Sequence, residues 1–117
     1  MTDLDRACAH FRKLLEEQTE RVAHMDAEKV DFAKKETITI GVIDGDGIGP
    51  VIMEQAVRVL SKLLSDKISS GRIRIEKIQG LTIENRLQVG QSVPSDVLTR
   101  IKACDVLLKG VFNYDNG

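Results

Sequence analysis

The run Thr37-Ile-Thr-Ile-Gly-Val-Ile43 passes directly into Asp44-Gly-Asp-Gly-Ile-Gly49 and then Pro50. The first stretch is β-branched and then uniformly apolar, which reads as a buried strand. The Asp/Gly run is a turn by composition, and Pro50 stands where proline is best tolerated, in the first turn of a helix. A buried strand that turns straight into a helix belongs to a sheet with helices packed on its faces.

The remaining pattern extends that arrangement. Val51, Ile52, Ala56, Val57, Leu60, Leu63 and Leu64 form one helical stripe that ends near Ser65. Ser69-Ser-Gly71 reads as a connector, and Arg72 to Ile78 alternates apolar with charged residues as a second strand. The pattern weakens from Leu81 to Val89. Pro94 to Ala103 then reads as a short helix with proline in its first turn, and Asp105-Val-Leu-Leu-Lys109 as a third strand closed by Gly110. Ahead of all this, Leu4, Ala7, Cys8, Phe11, Leu14, Leu15, Val22 and Met25 recur at steps of three and four, which predicts an amphipathic helix from Asp3 to about Glu28, with Glu17 and Arg21 paired one turn apart. The expected organisation is a helical extension over 1–35, an α/β domain with a largely parallel sheet over 36–110, and a tail over 111–117.

Composition removes several functions. With 17 basic against 18 acidic residues and no lopsided half, a nucleic-acid surface or polybasic membrane patch is not expected. Aromatics are 3% with no Trp, too few for base stacking or a carbohydrate platform. No apolar run approaches the roughly 20 residues of a membrane span, and the N-terminus is acidic where a signal peptide is basic. Cys8 and Cys104 have no metal-ligand or redox spacing. The expectation is a cytoplasmic protein with reduced thiols.

Gly45-Asp-Gly-Ile-Gly49 invites comparison with a dinucleotide fingerprint, in which glycines let backbone amides approach a pyrophosphate. The spacing does not comply. The third glycine would fall at Pro50, and the ribose-binding acid, due about 20 residues on, would fall among Leu63, Leu64 and Ser65. A Walker loop fails for want of Gly-Lys-Ser/Thr. The plain alternative is a tight strand-to-helix turn needing positive backbone angles, with Gly47 expected to tolerate substitution less well than Asp46. Asp44 and Asp46 would repel a phosphate set against them, and suit a cation or a helix cap equally well. Ligands in parallel sheets gather beyond the carboxyl ends of the strands, which singles out this loop and Lys109. Arg72, Arg74, Arg86 and Arg100 form no cluster and read as solvated surface.

The strings Ile40-Gly-Val-Ile-Asp-Gly-Asp-Gly-Ile-Gly-Pro50, Gly80-Leu-Thr-Ile-Glu-Asn-Arg86, Val93-Pro94 and Ile101-Lys-Ala-Cys-Asp-Val-Leu-Leu-Lys-Gly110 resemble successive N-terminal landmarks of the β-decarboxylating dehydrogenases of isocitrate and isopropylmalate. They occur in the family's order over about residues 36 to 110. The Gly80 to Arg86 string and the helical extension most resemble the bacterial isocitrate dehydrogenase-like branch, with isopropylmalate dehydrogenase as the nearest rival.

The resemblance implies an oxidoreductase that passes hydride from a malate-type small-molecule substrate to NAD or NADP and then releases carbon dioxide, with Mg2+ or Mn2+ as Lewis acid. It implies that Ile48 lies against the adenine ring, that Gly47 and Gly49 keep the loop tight, and that Lys109 belongs to the cofactor site. A buried core isoleucine is the alternative for Ile48. After Lys109-Gly110 the family continues into a Pro/Thr-rich loop and an arginine cluster, whereas this chain continues Val111-Phe-Asn-Tyr-Asp115. The family's catalytic Tyr and Lys and its metal-binding aspartates have no counterpart, and Tyr114 does not match that Tyr. The expectation is therefore a fragment of such an enzyme, without catalytic or metal residues and inactive alone. Two other readings stand beside it: an interaction protein or homo-oligomer using its sheet edge and N-terminal helix, and a small adenine-nucleotide binder.

Overall fold

A computed structural model describes residues 1–25 and 29–113. The chain divides into two compact units, Met1–Asp31 and Phe32–Gly117.

The first unit contains α1, Asp3–Ala23. Thr2 opens it with a capping box: the Asp5 amide donates to Thr2 Oγ1 at 3.1 Å, and the Thr2 amide donates to Asp5 Oδ2 at 2.8 Å. These bonds satisfy donors that the first turn cannot satisfy within the helix. The helix stops at Ala23, short of the expected Glu28, which lies outside the described residues. Its charged face also pairs differently from expectation. Glu17 Oε1 lies 3.8 Å from Lys13 Nζ, and Arg21 Nε donates to the Gln18 side chain at 2.8 Å.

The second unit is an α/β fold. Its elements are β1 (Ile38–Ile43), α2 (Gly49–Leu63), α3 (Ser65–Ser69), β2 (Ile73–Lys77), α4 (Ile83–Val89), α5 (Ser95–Lys102) and β3 (Val106–Lys109). All pairing is parallel, in the order β2-β1-β3, with Gly41 level with Glu76 on one side and Leu107 on the other. The apolar run read from the sequence is thus the central strand, and its last three residues, Gly41 to Ile43, are buried. Because the steps β1 to β2 and β2 to β3 run in opposite directions, right-handed crossovers put α2 and α5 on opposite faces. Ile43, Ile78, Leu81 and Val97 form the core on the α5 side, with Ile101, Cys104 and Phe112 packed against them. Val42 and Met53 are also buried, as expected for a strand whose alternate residues face opposite layers.

The sequence pattern misses two elements. Leu64, at φ −104° and ψ 15°, breaks the helix after α2, and the chain resumes as α3 between the expected helix end near Ser65 and the expected connector Ser69–Gly71. Between Leu81 and Val89 the apolar spacing is poor, yet α4 forms because Thr82 Oγ1 accepts from the Asn85 amide at 3.3 Å. Pro94 is the N-cap of α5, one residue before its first turn.

Candidate functional site

The order β2-β1-β3 creates a topological switch point between β1 and β3, where neighbouring connections leave in opposite directions and open a crevice at the carboxyl ends. Two segments meet there: the turn Asp44–Ile48 after β1, and residues 110–113 after β3.

They are tied together. The Gly110 amide donates to Ile43 O at 2.8 Å, the Asp46 amide to Val111 O at 2.7 Å, and the Gly49 amide to Asp46 O at 2.8 Å. The side chain of Asp46, a residue only 5% exposed, accepts three further bonds. Oδ1 takes the Ile83 amide at 2.7 Å, and Oδ2 takes the Asn113 amide and Arg86 Nη2, each at 3.1 Å. Burial alone pushes the Asp46 carboxyl up, but the Ile83 and Asn113 amides and the Arg86 guanidinium together outweigh it, so it titrates below the ordinary value.

These contacts decide between the sequence readings of the two carboxylates. Asp46 anchors the turn, and Asp44 Oδ2 is ion-paired with Lys77 Nζ at 2.6 Å. Neither caps α2, whose N-cap is Ile48 with no side-chain bond. Arg86 departs furthest from expectation. Its side chain is only 14% exposed; it is bonded to Asp46 and to Asn113 O, and its Cζ lies 5.4 Å from the Phe112 ring centroid. Spacing gave no hint of this, because its partners lie far away in sequence. Arg74 behaves as expected for a surface residue, pairing with Glu76.

Gly45 and Gly47 both have positive φ, +80° and +57°. Their surroundings differ. A Cβ on Gly45 would sit 2.1 Å from Val111 O, whereas one on Gly47 would meet only the Asn113 side chain, its Nδ2 at 3.8 Å. The turn holds Gly47 at the positive φ the sequence reading expected, but Asp46 carries the bonds that close the turn, which favours the opposite order of sensitivity.

Ile48 is 63% exposed, which overturns the buried-core alternative. Gly49 and Lys109 face a cleft of about 500 Å³, lined also by Ile52, Met53, Val111 and Phe112. The Lys109 Nζ sits 4.8 Å from the Phe112 centroid, so that ring lies near two cations. A wider groove of about 770 Å³ opens near Thr37, Ser65 and Arg74, at the amino ends of β1 and β2, away from where parallel sheets bind ligands. Tyr114 lies outside the described residues. Among the described residues no three His, Cys, Asp or Glu side chains converge as metal ligands, and no helix is long and apolar enough to cross a membrane.

No family model matches the chain. A stretch of 74 residues is 38% identical to 3-isopropylmalate dehydrogenase of Psychrobacter cryohalolentis, covering 62% of this chain and 19% of that protein. The stretch is similar to decarboxylating dehydrogenases of the isopropylmalate type. The enzyme of the same name from Pseudomonas fluorescens is 39% identical over 70 residues, 59% of this chain and 18% of its own length. Homoisocitrate dehydrogenase of Methanocaldococcus jannaschii is 29% identical over 69 residues, with the same coverage. The chain matches about a fifth of the length of these relatives.

Proposed function

We propose that residues 36–110 are part of an NAD(P)-dependent dehydrogenase that oxidises and decarboxylates a malate-type 2-hydroxy acid, and that the part formed here is the adenine end of the cofactor site. The observation that carries this is Ile48. It leaves most of its surface in water, at the start of a 15-residue helix, on a turn fixed by hydrogen bonds to α4 and to the segment after β3. An apolar side chain held open at a switch point offers a flat heteroaromatic ring a surface that costs little to order. Gly47 and Gly49 on either side keep Cβ atoms away from that surface. Lys109 brings a cation to the adjoining cleft, suited to a phosphate or carboxylate oxygen.

The names of the relatives support 3-isopropylmalate or a close homologue as substrate, and isocitrate rests only on the Gly80 to Arg86 string. A divalent metal would polarise the substrate alcohol in such a reaction. The described residues do not fit one, because Asp44 and Asp46 are engaged by Lys77 and Arg86, so no step is assigned to a metal here. The free thiols Cys8 and Cys104 support a reducing, cytoplasmic setting.

Saturation-transfer NMR with AMP, NAD and NADP tests the proposal. Adenine protons should receive saturation from the wild-type chain at millimolar ligand and lose it in Ile48→Asp, with circular dichroism unchanged. Adenine protons that stay dark with the wild type, or that respond equally in Ile48→Asp, would remove the assignment.

A further inference from the structure

At the carboxyl ends of β1 and β2, across β1 from the switch point, Asp44 and Lys77 stand at a pocket of about 390 Å³. Ile48 lines no part of it, so it is separate from the adenine contact proposed above. Its polar groups are only partly engaged. Asp46 accepts three bonds through its side chain, and Asp105 is held by Lys35 and by the Thr39 amide, whereas Asp44 has Lys77 alone, with Oδ2 at 2.6 Å from Nζ. Among the described residues Asp44 Oδ1 accepts no hydrogen bond, and the Lys77 ammonium, which carries three donors, serves one oxygen. Two neutral side chains at the same pocket are in the same condition. Asn85 donates through Nδ2 to Gly80 O at 2.7 Å, which leaves Oδ1 as an acceptor; Thr82 Oγ1 accepts from the Asn85 amide at 3.3 Å, which leaves its hydroxyl proton to donate.

We infer that this pocket binds a free α-amino acid with an aliphatic side chain. A simple anion drawn to Lys77 would meet the Asp44 carboxylate beside it, and a simple cation drawn to Asp44 would meet the Lys77 ammonium. A ligand with both charges on one carbon finds an opposite for each. Its ammonium goes to the acceptors Asp44 Oδ1 and Asn85 Oδ1, and its carboxylate to the donors Lys77 Nζ and the Thr82 hydroxyl. The existing ion pair is kept, because each partner uses capacity that the other leaves free. Ile43, Pro50, Ile78 and Leu81 supply the apolar part of the lining, which suits an aliphatic side chain.

Size and exposure set the ligand and the affinity. The volume lies near the lower end of the roughly 300–1,000 Å³ of small-molecule sites, which suits one amino acid and is small for a nucleotide. The Asp44 side chain is 25% exposed and that of Lys77 60%, so water screens the charges and binding is weak, in the millimolar range.

Backbone amide chemical shifts of the 117-residue chain, titrated with L-valine, should move and saturate at residues 43–45 and 77–85. N-acetyl-L-valine, which lacks the cation, and L-valinamide, which lacks the anion, should each bind at least about tenfold more weakly. Asp44→Asn and Lys77→Gln should each weaken L-valine by a similar factor, while Arg74→Gln on the same strand as Lys77 should leave it unchanged. Should either of the first two variants fail to fold, the capped ligands still decide the matter on the wild-type chain. No shift at tens of millimolar L-valine overturns the inference. So does N-acetyl-L-valine or L-valinamide binding as tightly as L-valine, or a response that gathers at the Lys109 cleft and spares residues 77–85.

Discussion

Arg86 Nη2 donates both to Asp46 Oδ2, at 3.1 Å, and to the Asn113 carbonyl, at 2.7 Å, so one guanidinium joins the turn after β1 to the segment after β3. Removing one member of a buried pair leaves the other charge unpaired, which costs about 3–5 kcal/mol. Asp46→Ala should therefore lower stability by about 3 kcal/mol or more. Gly47→Val, strained in backbone but free of steric conflict, should cost about 1–3 kcal/mol. Urea melts that place the Gly47→Val midpoint below that of Asp46→Ala would contradict this order.

The two positive-φ glycines of the turn after β1, Gly45 and Gly47, should differ from one another. Alanine at Gly47 meets only backbone strain, about 1 kcal/mol. Alanine at Gly45 drives its methyl into the Val111 carbonyl, which must move and give up the Asp46 amide bond. Gly45→Ala should be the more destabilising by at least about 1 kcal/mol. Equal denaturant midpoints for the two variants would show that the turn relaxes freely.

Acid should weaken the α/β unit in a narrow window. Asp46 and Asp105 both titrate below the ordinary value; for Asp105 the causes are the Lys35 side chain first and then the Thr39 amide. A carboxyl with a depressed folded-state pKa stabilises the fold above its unfolded value and loses that contribution as pH falls through the folded value. Stability should hold steady from neutrality down to about pH 4 and fall below it. Asp46→Asn should flatten that fall. An unchanged pH profile in Asp46→Asn would place the acid sensitivity elsewhere.

Activity should be absent from the 117-residue chain tested alone with isopropylmalate or isocitrate, NAD or NADP, and magnesium or manganese. Substrate positioning and metal-assisted charge stabilisation each supply large rate factors, and the described residues bring together groups for neither. Turnover that vanishes on replacing Ile48 or Lys109, in protein of confirmed mass, would require a site not described above.

The strand–turn–helix step and the two later strands were legible because burial forces a pattern on the sequence: Thr37 to Ile43 is β-branched and then uniformly apolar, and Arg72 to Ile78 alternates. α4 was not, because it is held by a cap at Thr82 and an anchor at Asp46 and has no continuous apolar face. Lys109 could be singled out from its position at the end of a strand, and Ile48 from the family resemblance of its turn. The roles of Arg86, Phe112 and Asn113 could not, since an ion pair between residues 40 apart leaves no mark in local spacing.

The three donors that close on the Asp46 carboxylate lie 37, 40 and 67 residues further along the chain. During synthesis the chain leaves the ribosome N-terminus first, so β1 and its turn emerge long before the groups that fix them. Ile83 and Arg86 become available before Asn113, so the last of the three ties can close only when Asn113 is free. Ile48 thus belongs to the part of the site that is made first, on a turn whose full set of bonds needs residues made last.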